Sequence, residues 1–428
     1  MIIDRKIAPP VKEISNFNIV RAEKLKLSNG VEVYSLNTDQ SGMVKIEWMF
    51  PAGNWYQSSP MEAFAVNAML AEGTRNHTSL QLAEKIEYYG AQTGFHVDKD
   101  NAFVSILCQV KHLPEVLPIV NEMIREASFP ENELEIFRKK HKQNFTVEHS
   151  KIKNYARYVH ARMLFGNHHP YGNMFEPEIF DAINREQLSD FYQKNYIVDN
   201  SKIILSGCVT DGIITQVESL FGAKGQRMEA RPYPQFETKT ENELHVNIDR
   251  PETVQSAVRL GKILFNKTHP DFTAMSVLNC ILGGYFGSRL MKTIREEKGY
   301  TYGINSLLVS LKHAGYLTIV SELGADVTQA AITDIYSEIE KLRNEPIPTE
   351  ELSRVKNYML GDMVRMFDGA FAQADSLISI LENGLGYEYY EQMITDIKNI
   401  TSEQLQALAQ KYLDPSSFSQ VVVGKINN

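Results

Sequence analysis

The 428-residue sequence predicts an α+β protein made of two homologous halves, each a mostly antiparallel sheet with helices packed on one face, possibly further subdivided. Two observations carry this expectation. The first is an internal repeat. LPEVLPIVNEMIREASFPENEL, from Leu113 to Leu134, aligns without a gap on AITDIYSEIEKLRNEPIPTEEL, from Ala331 to Leu352, at an offset of 218. INREQLSDFYQKNY, from Ile183, pairs with ITSEQLQALAQKY, from Ile400, at an offset of 217. Each member of the second pair runs into an apolar strand, KIILSGCV or SQVVVGKI. The second observation is the order of patterns inside each half: paired strands, long helices, another strand, more helices and a closing strand.

Taken in chain order, the first half (residues 1–221) opens with the strands KLKLSNGVEVYSL and GMVKIEWMFPAG. The helix MEAFAVNAMLAEGT, from Met61 to Thr74, follows and is apolar on every side except for Asn67, so it is expected to be buried all round. Residues 222–243 read GAKGQRMEARPYPQFETKTENE, a linker by its Pro, Gly and charge. The second half (residues 244–428) begins with HVNIDR and QSAVRLGKIL.

A net charge of -9 and a pI near 5.7 argue against nucleic acid as a partner, since phosphate binding needs clustered Lys and Arg. The longest uncharged run, Phe272 to Ser288, holds three Gly with Thr, Ser and Asn, and it falls short of a membrane span. The N-terminus MIIDRKIAPPVKEI has no apolar signal region, so a soluble, cytoplasmic chain with no membrane partner is expected. Cys108, Cys208 and Cys280 are odd in number and apolar in context, which reads as buried thiols.

LSNGVEVY, the strand ending in PAG, LAEGT, FPENELE, FGNHHPYG, the VQS strand, LNCILGGYFGSRL and IREEKGYTYG together resemble the pitrilysin/insulinase-like zinc peptidases. The resemblance spans nearly the whole chain, and the family's duplicated α+β halves agree with the repeat. Active members carry H-x-x-E-H before a Gly-Thr dipeptide: two His at i and i+4 grip zinc from one helix face, and the Glu serves as general base. Counting back from Gly73-Thr74, the matching positions are Phe64, Asn67 and Ala68. Phe and Ala lack a lone pair for a metal, and a neutral amide takes no proton from water. The third ligand falls near Asn144 or a neighbour, where Glu148 is the only acidic residue. No zinc or other cofactor is therefore expected. Asn67 stands where a catalytic Glu would be, and it is either bonded to neighbours or faces an open chamber; the direction of that Glu favours the chamber.

His141, Glu148, His149 and His160 show no i, i+4 His pair, and His168-His169 precede Pro in a turn, so helix packing, surface or turn roles are expected for them. Gly283 to Gly287 reads as a structural or substrate-contacting loop. In the family the second half supplies an Arg, with a Tyr seven residues on, that reaches toward a catalytic site; Arg295 and Tyr302 keep that spacing. The resemblance implies a non-catalytic, substrate-binding subunit. It would complete the site of a zinc-bearing paralogue around an extended peptide, with a homodimer possible in isolation. The alternative is a purely structural protein of the same fold.

Overall fold

The structure, a computed structural model, describes residues 18–38, 41–223, 234–238 and 244–425. Most of the segment read as a linker lies outside the described residues. Strands β1 (Glu23–Lys26), β2 (Glu32–Asn37), β3 (Met43–Phe50), β4 (Gln92–Val97), β5 (Ala102–Gln109) and β6 (Lys202–Gly207) form one sheet in the order β1-β2-β6-β3-β5-β4. Strands β7 (His245–Asp249), β8 (Gln255–Leu264), β9 (Thr301–Ser310), β10 (Gly315–Gly324) and β11 (Ser419–Gly424) form a second, β7-β11-β8-β10-β9. With β1 set aside the two orders coincide. The one parallel pair, β2 with β6 and β7 with β11, takes the same place in each, and every other pair is antiparallel. The fold is α+β in two like halves, as the repeat predicts. The closing strand of each half is inserted between the two strands that open it.

The repeat is also visible in the helix starts. Asn184 caps the helix Arg185–Asn195 and Thr401 caps Ser402–Tyr412; each side chain accepts from the backbone N–H three residues on, and Gln187 or Gln404 bonds back. These reciprocal caps satisfy backbone donors that a helix start otherwise leaves open.

Strand alternation divides the burial. Val44, Ile46, Trp48 and Phe50 of β3 face the helices of their own half, whereas Met49 joins the core of the second half. The outer faces are covered by exchange. The helix Ile152–Phe165 of the first half lies across β8 and β11, and Ala370–Leu381 of the second lies across β2 and β6. Ala156, Val159 and Met163 pack on Ala257, Val421 and Val423. The one-face covering expected from sequence is thus completed on the other face by a helix from the opposite half.

Gly261 is where this packing is closest. A Cβ there would collide with the Leu317 carbonyl and the His160 ring. Ser419 Oγ donates to the Gly261 carbonyl at 2.8 Å, so its contact with His160 Nε2 at 3.2 Å is a bond that the imidazole donates. Burial, with Arg259 nearby, holds His160 down at about 3. A second tie joins the halves at the β4–β5 turn: Asp100 accepts from the Tyr171 hydroxyl and from the Lys312 backbone N–H at 3.1 Å, and the Trp55 ring stacks on His313 at 4.0 Å.

Cys108 and Cys280 are buried, and burial pushes their thiols up to about 11 and about 12; Cys208 is only half-buried, and all three are free. No helix among the described residues is long and apolar enough to cross a membrane.

His160 is neutral in the fold but gains a proton near 6.5 once unfolded, so its contribution is complete above that pH and is lost as pH falls toward 3. Denaturant unfolding is expected to show about 2 kcal/mol lost between pH 7 and pH 5 through this group. His160→Gln is expected to flatten that acid limb; an unchanged slope in the variant would refute the assignment.

Candidate functional site

The helix Glu62–Met69 carries the positions that match the zinc motif. It starts at Met61, whose φ of 69 is left-handed, and the Glu62 carboxylate accepts from the Ser58 backbone N–H at 2.7 Å and its hydroxyl at 3.0 Å. Ala63, Ala65, Val66, Met69 and Leu70 are fully buried. Phe64 and Ala68, one turn apart, form the half-buried stripe. Facing that stripe, the helix Glu131–Ser150 presents Phe137 and His141. The Phe64 ring meets His141 edge-on at 5.0 Å and Phe137 at 5.8 Å, and Phe137 lies 4.3 Å from His141. Burial lowers the His141 imidazole below its ordinary range. An aromatic contact therefore occupies the face on which an i, i+4 ligand pair would converge.

Asn67 is 1% exposed, and its Nδ2 donates to the Phe103 carbonyl of β5 at 3.1 Å. The expectation that it faces an open chamber is overturned. The reason is chemical: an amide can donate to a strand carbonyl, which a carboxylate cannot, so Asn is stable turned against the sheet. The second half does the same. Asn279 Nδ2 donates to the Ser306 carbonyl of β9 at 3.2 Å, and Ser306 Oγ donates back to the Asn279 carbonyl at 3.1 Å. Val44 opposite Gly207 and Ser256 opposite Gly424 show that the halves are offset by 212 here, the separation of Asn67 from Asn279.

Asn144 is exposed on Glu131–Ser150, and Glu148, also exposed, pairs with Lys151. The structure thus brings His141 and Phe137 to Phe64, and neither Asn144 nor Glu148. Among the described residues no three His, Cys, Asp or Glu side chains are grouped so as to hold a metal ion. Phe64 and Ala68 offer no lone pair, so the residues at this position do not fit zinc.

Arg295 and Tyr302 belong to the second half. Arg295 lies in the π-helical stretch Met291–Glu297, and Tyr302 is the second residue of β9, an edge strand. Tyr300 N–H donates to the Ile294 carbonyl at 3.0 Å and so ties the approach to β9 to that helix. A register shift in the β9–β10 ladder lies beside Tyr302, which is 94% exposed. The Arg295 guanidinium lies 4.7 Å from the centroid of the Phe286 ring and has no ion pair among the described residues. No hydrogen bond, ion pair or ring contact among the described residues joins this set to Phe64, Asn67 or Ala68. Phe286 belongs to the Gly283–Gly287 loop singled out in the sequence, but its place under Arg295 left no signal there.

Paired sheets of one topology, with an apolar helix at the metal position of one half and a half-buried Arg and an exposed Tyr on the other, give the pattern of a duplicated metallopeptidase-type protein whose motif helix does not fit a metal. The chain belongs to the peptidase M16 (insulinase) family: the family model described as "Insulinase (Peptidase family M16)" matches residues 43–173, and the one described as "Peptidase M16 inactive domain" matches residues 182–359. It is similar to a Bacillus subtilis protein named "Uncharacterized zinc protease YmxG", 24% identical over 90% of this chain and 93% of that one. A second Bacillus subtilis relative, "Probable inactive metalloprotease YmfF", is 23% identical over 61% of this chain and 62% of its own. The crystal structure of a peptidase M16 inactive domain from Pseudomonas fluorescens superposes with a TM-score of 0.85 at 24% identity, covering 95% of this chain and 99% of that one.

Two outcomes are expected from this geometry. Asn67→Leu removes the bond to the Phe103 carbonyl and is expected to cost about 0.5 to 1.5 kcal/mol in urea unfolding; a neutral or stabilising result would show that the bond is not structural. Elemental analysis of tag-free protein is expected to find no zinc that depends on this helix, and a near-stoichiometric content abolished by changes at Phe64 to Ala68 would contradict it.

Proposed function

We propose that this chain is the non-catalytic, substrate-binding subunit of a zinc metallopeptidase acting on extended peptides, and that it completes the site of a zinc-bearing paralogue. The observation that carries this reading is the contrast between the halves. Phe64, Asn67 and Ala68 are packed or bonded within the fold, whereas among the described residues Arg295 and Tyr302 have no polar partner, Tyr302 being exposed and Arg295 half-buried over a ring. Among the described residues strand β9 pairs only with β10, and exposed Tyr302, Asn305 and Leu307 stand along it, as suits an extended chain laid beside a sheet edge.

Arg295 offers a fixed fork of donors and Tyr302 a phenolic OH. Between them they suit holding a peptide, through Arg295, and the oxyanion charge its carbonyl develops in the partner's site, through Tyr302. Donors that meet charge only as it develops act on the chemical step, and removing one typically costs roughly 10² to 10³ in kcat. The test is steady-state cleavage of a fluorogenic peptide by this chain mixed with a paralogue bearing an intact H-x-x-E-H, with gel filtration to follow assembly. The mixture is expected to cleave where neither chain does alone. Tyr302→Phe is expected to lower kcat with little change in KM, while Arg295→Ala weakens substrate binding as well. Two variants that assemble and cleave at the wild-type rate would leave a purely structural protein as the better reading.

A further inference from the structure

The two arginines that follow the Gly283–Gly287 loop are held in opposite ways. Arg289 is closed: its Nε and one terminal nitrogen donate to the two Glu351 oxygens at 2.9 and 2.8 Å, a parallel pair of bonds on one carboxylate. Arg295 has no carboxylate among the described residues, and its guanidinium carbon lies over the Phe286 ring instead, 4.7 Å from the centroid. Stacking uses the face of the guanidinium and leaves its in-plane N–H groups free. The loop is built to hold that ring outward. Tyr285 lies against Tyr358 with centroids 4.8 Å apart, and the Ser288 N–H closes a turn on the Tyr285 carbonyl at 3.1 Å. Phe286, between them, is left 64% exposed, while Ser288 is buried. A Cβ at Gly287 would press into the Tyr285 ring, so the turn leaves little room beside it.

We propose that Phe286 is a positioning residue for Arg295 and that the pair forms a carboxylate subsite, so that the peptide this chain takes carries a carboxylate beside an apolar residue. The inference rests on the peptide-binding reading of this surface. A carbonyl oxygen is satisfied by a single donor, whereas a carboxylate takes two parallel N–H groups, the arrangement Glu351 already shows on Arg289. A free long side chain would sample many rotamers, and the ring holds the plane in which those two donors point. The exposed faces of Phe286 and Tyr302 supply the apolar contact.

The experiment measures fluorescence anisotropy of three labelled peptides with the full chain and no partner. They share one apolar sequence and carry a single internal Glu with an amidated C-terminus, a Gln with a free C-terminus, or a Gln with an amidated C-terminus. One carboxylate peptide is expected to bind about tenfold more tightly than the neutral one, and which of the two does so identifies a side chain or a chain end as the source. Phe286→Leu and Arg295→Lys are expected to bring that peptide down to the neutral level, and Phe286→Tyr to keep the preference. Equal binding of all three peptides to the wild type, or a preference that survives Phe286→Leu, overturns the proposal. Because no partner is present, failure of the reconstituted peptidase leaves this result unaffected, and a peptidase that works without any carboxylate preference sinks the subsite alone.

Discussion

The exchange of helices between the halves is the constraint on which the rest of the structure depends. A strand such as β3 or β8 has two faces, and the helices of its own half cover only one. Laying Ile152–Phe165 on β8 and β11, and Ala370–Leu381 on β2 and β6, buries the other without lengthening either half. Neither helix could detach without exposing apolar surface on both halves, so the pair is expected to unfold as a unit. The exchange also explains the polar groups beneath these helices. His160 is admitted because Ser419 and the glycine at 261 give it a bond and a place. The exchanged helices reach the central strands and leave the edge strands β4 and β9 at the borders, where a further chain could be added.

Within that frame the zinc-motif helix is explained as packing. A helix buried on most sides tolerates a polar residue only if it is bonded, and Asn67 meets the requirement through the Phe103 carbonyl, as Asn279 does through Ser306. The aromatic contact of Phe64 with Phe137 and His141 gains dispersion where a metal site would need lone pairs and a water path. Asn67 makes the first half resemble the second, whose helix has Asn279 at the corresponding position, while Phe64 and Ala68 stand where the second half has Ser276 and Cys280. The departure from the family motif is thus an internally consistent core.

Much of this was legible in the sequence because it depends on local pattern. The duplication rests on capping boxes and helix ends, which are set by neighbours three or four residues away, and the loss of metal ligands rests on side-chain chemistry alone. What depends on distant partners was not legible. Nothing within Ile152–Phe165 tells that the opposite half covers it, and nothing near His160 announces Ser419. The direction of Asn67 was misread for a related reason: the helix fixes its angle, but the choice between solvent and sheet is decided by a carbonyl thirty-six residues away. The helix facing Phe64 was read around Asn144, whereas the actual contacts come from His141 and Phe137, about one and two turns earlier.

The asymmetry between the halves bears on which functional reading the molecule favours. Stability accounts for Asn67, Phe64 and Ala68, since each fills space or satisfies a bond. It does not account for Tyr302 or Arg295. A tyrosine that keeps 94% of its surface in water adds little burial, and a half-buried cation over an exposed ring is worth only about 1 kcal/mol, which a shorter apolar residue at 295 would forgo at small cost. A fold maintained for packing alone has no need of an exposed tyrosine, and of a guanidinium without an ion pair among the described residues, beside the edge strand β9. Groups that contribute little to folding and are held in definite places are better explained by what they meet from outside, which is the reason the proposed binding role is favoured over a purely structural one.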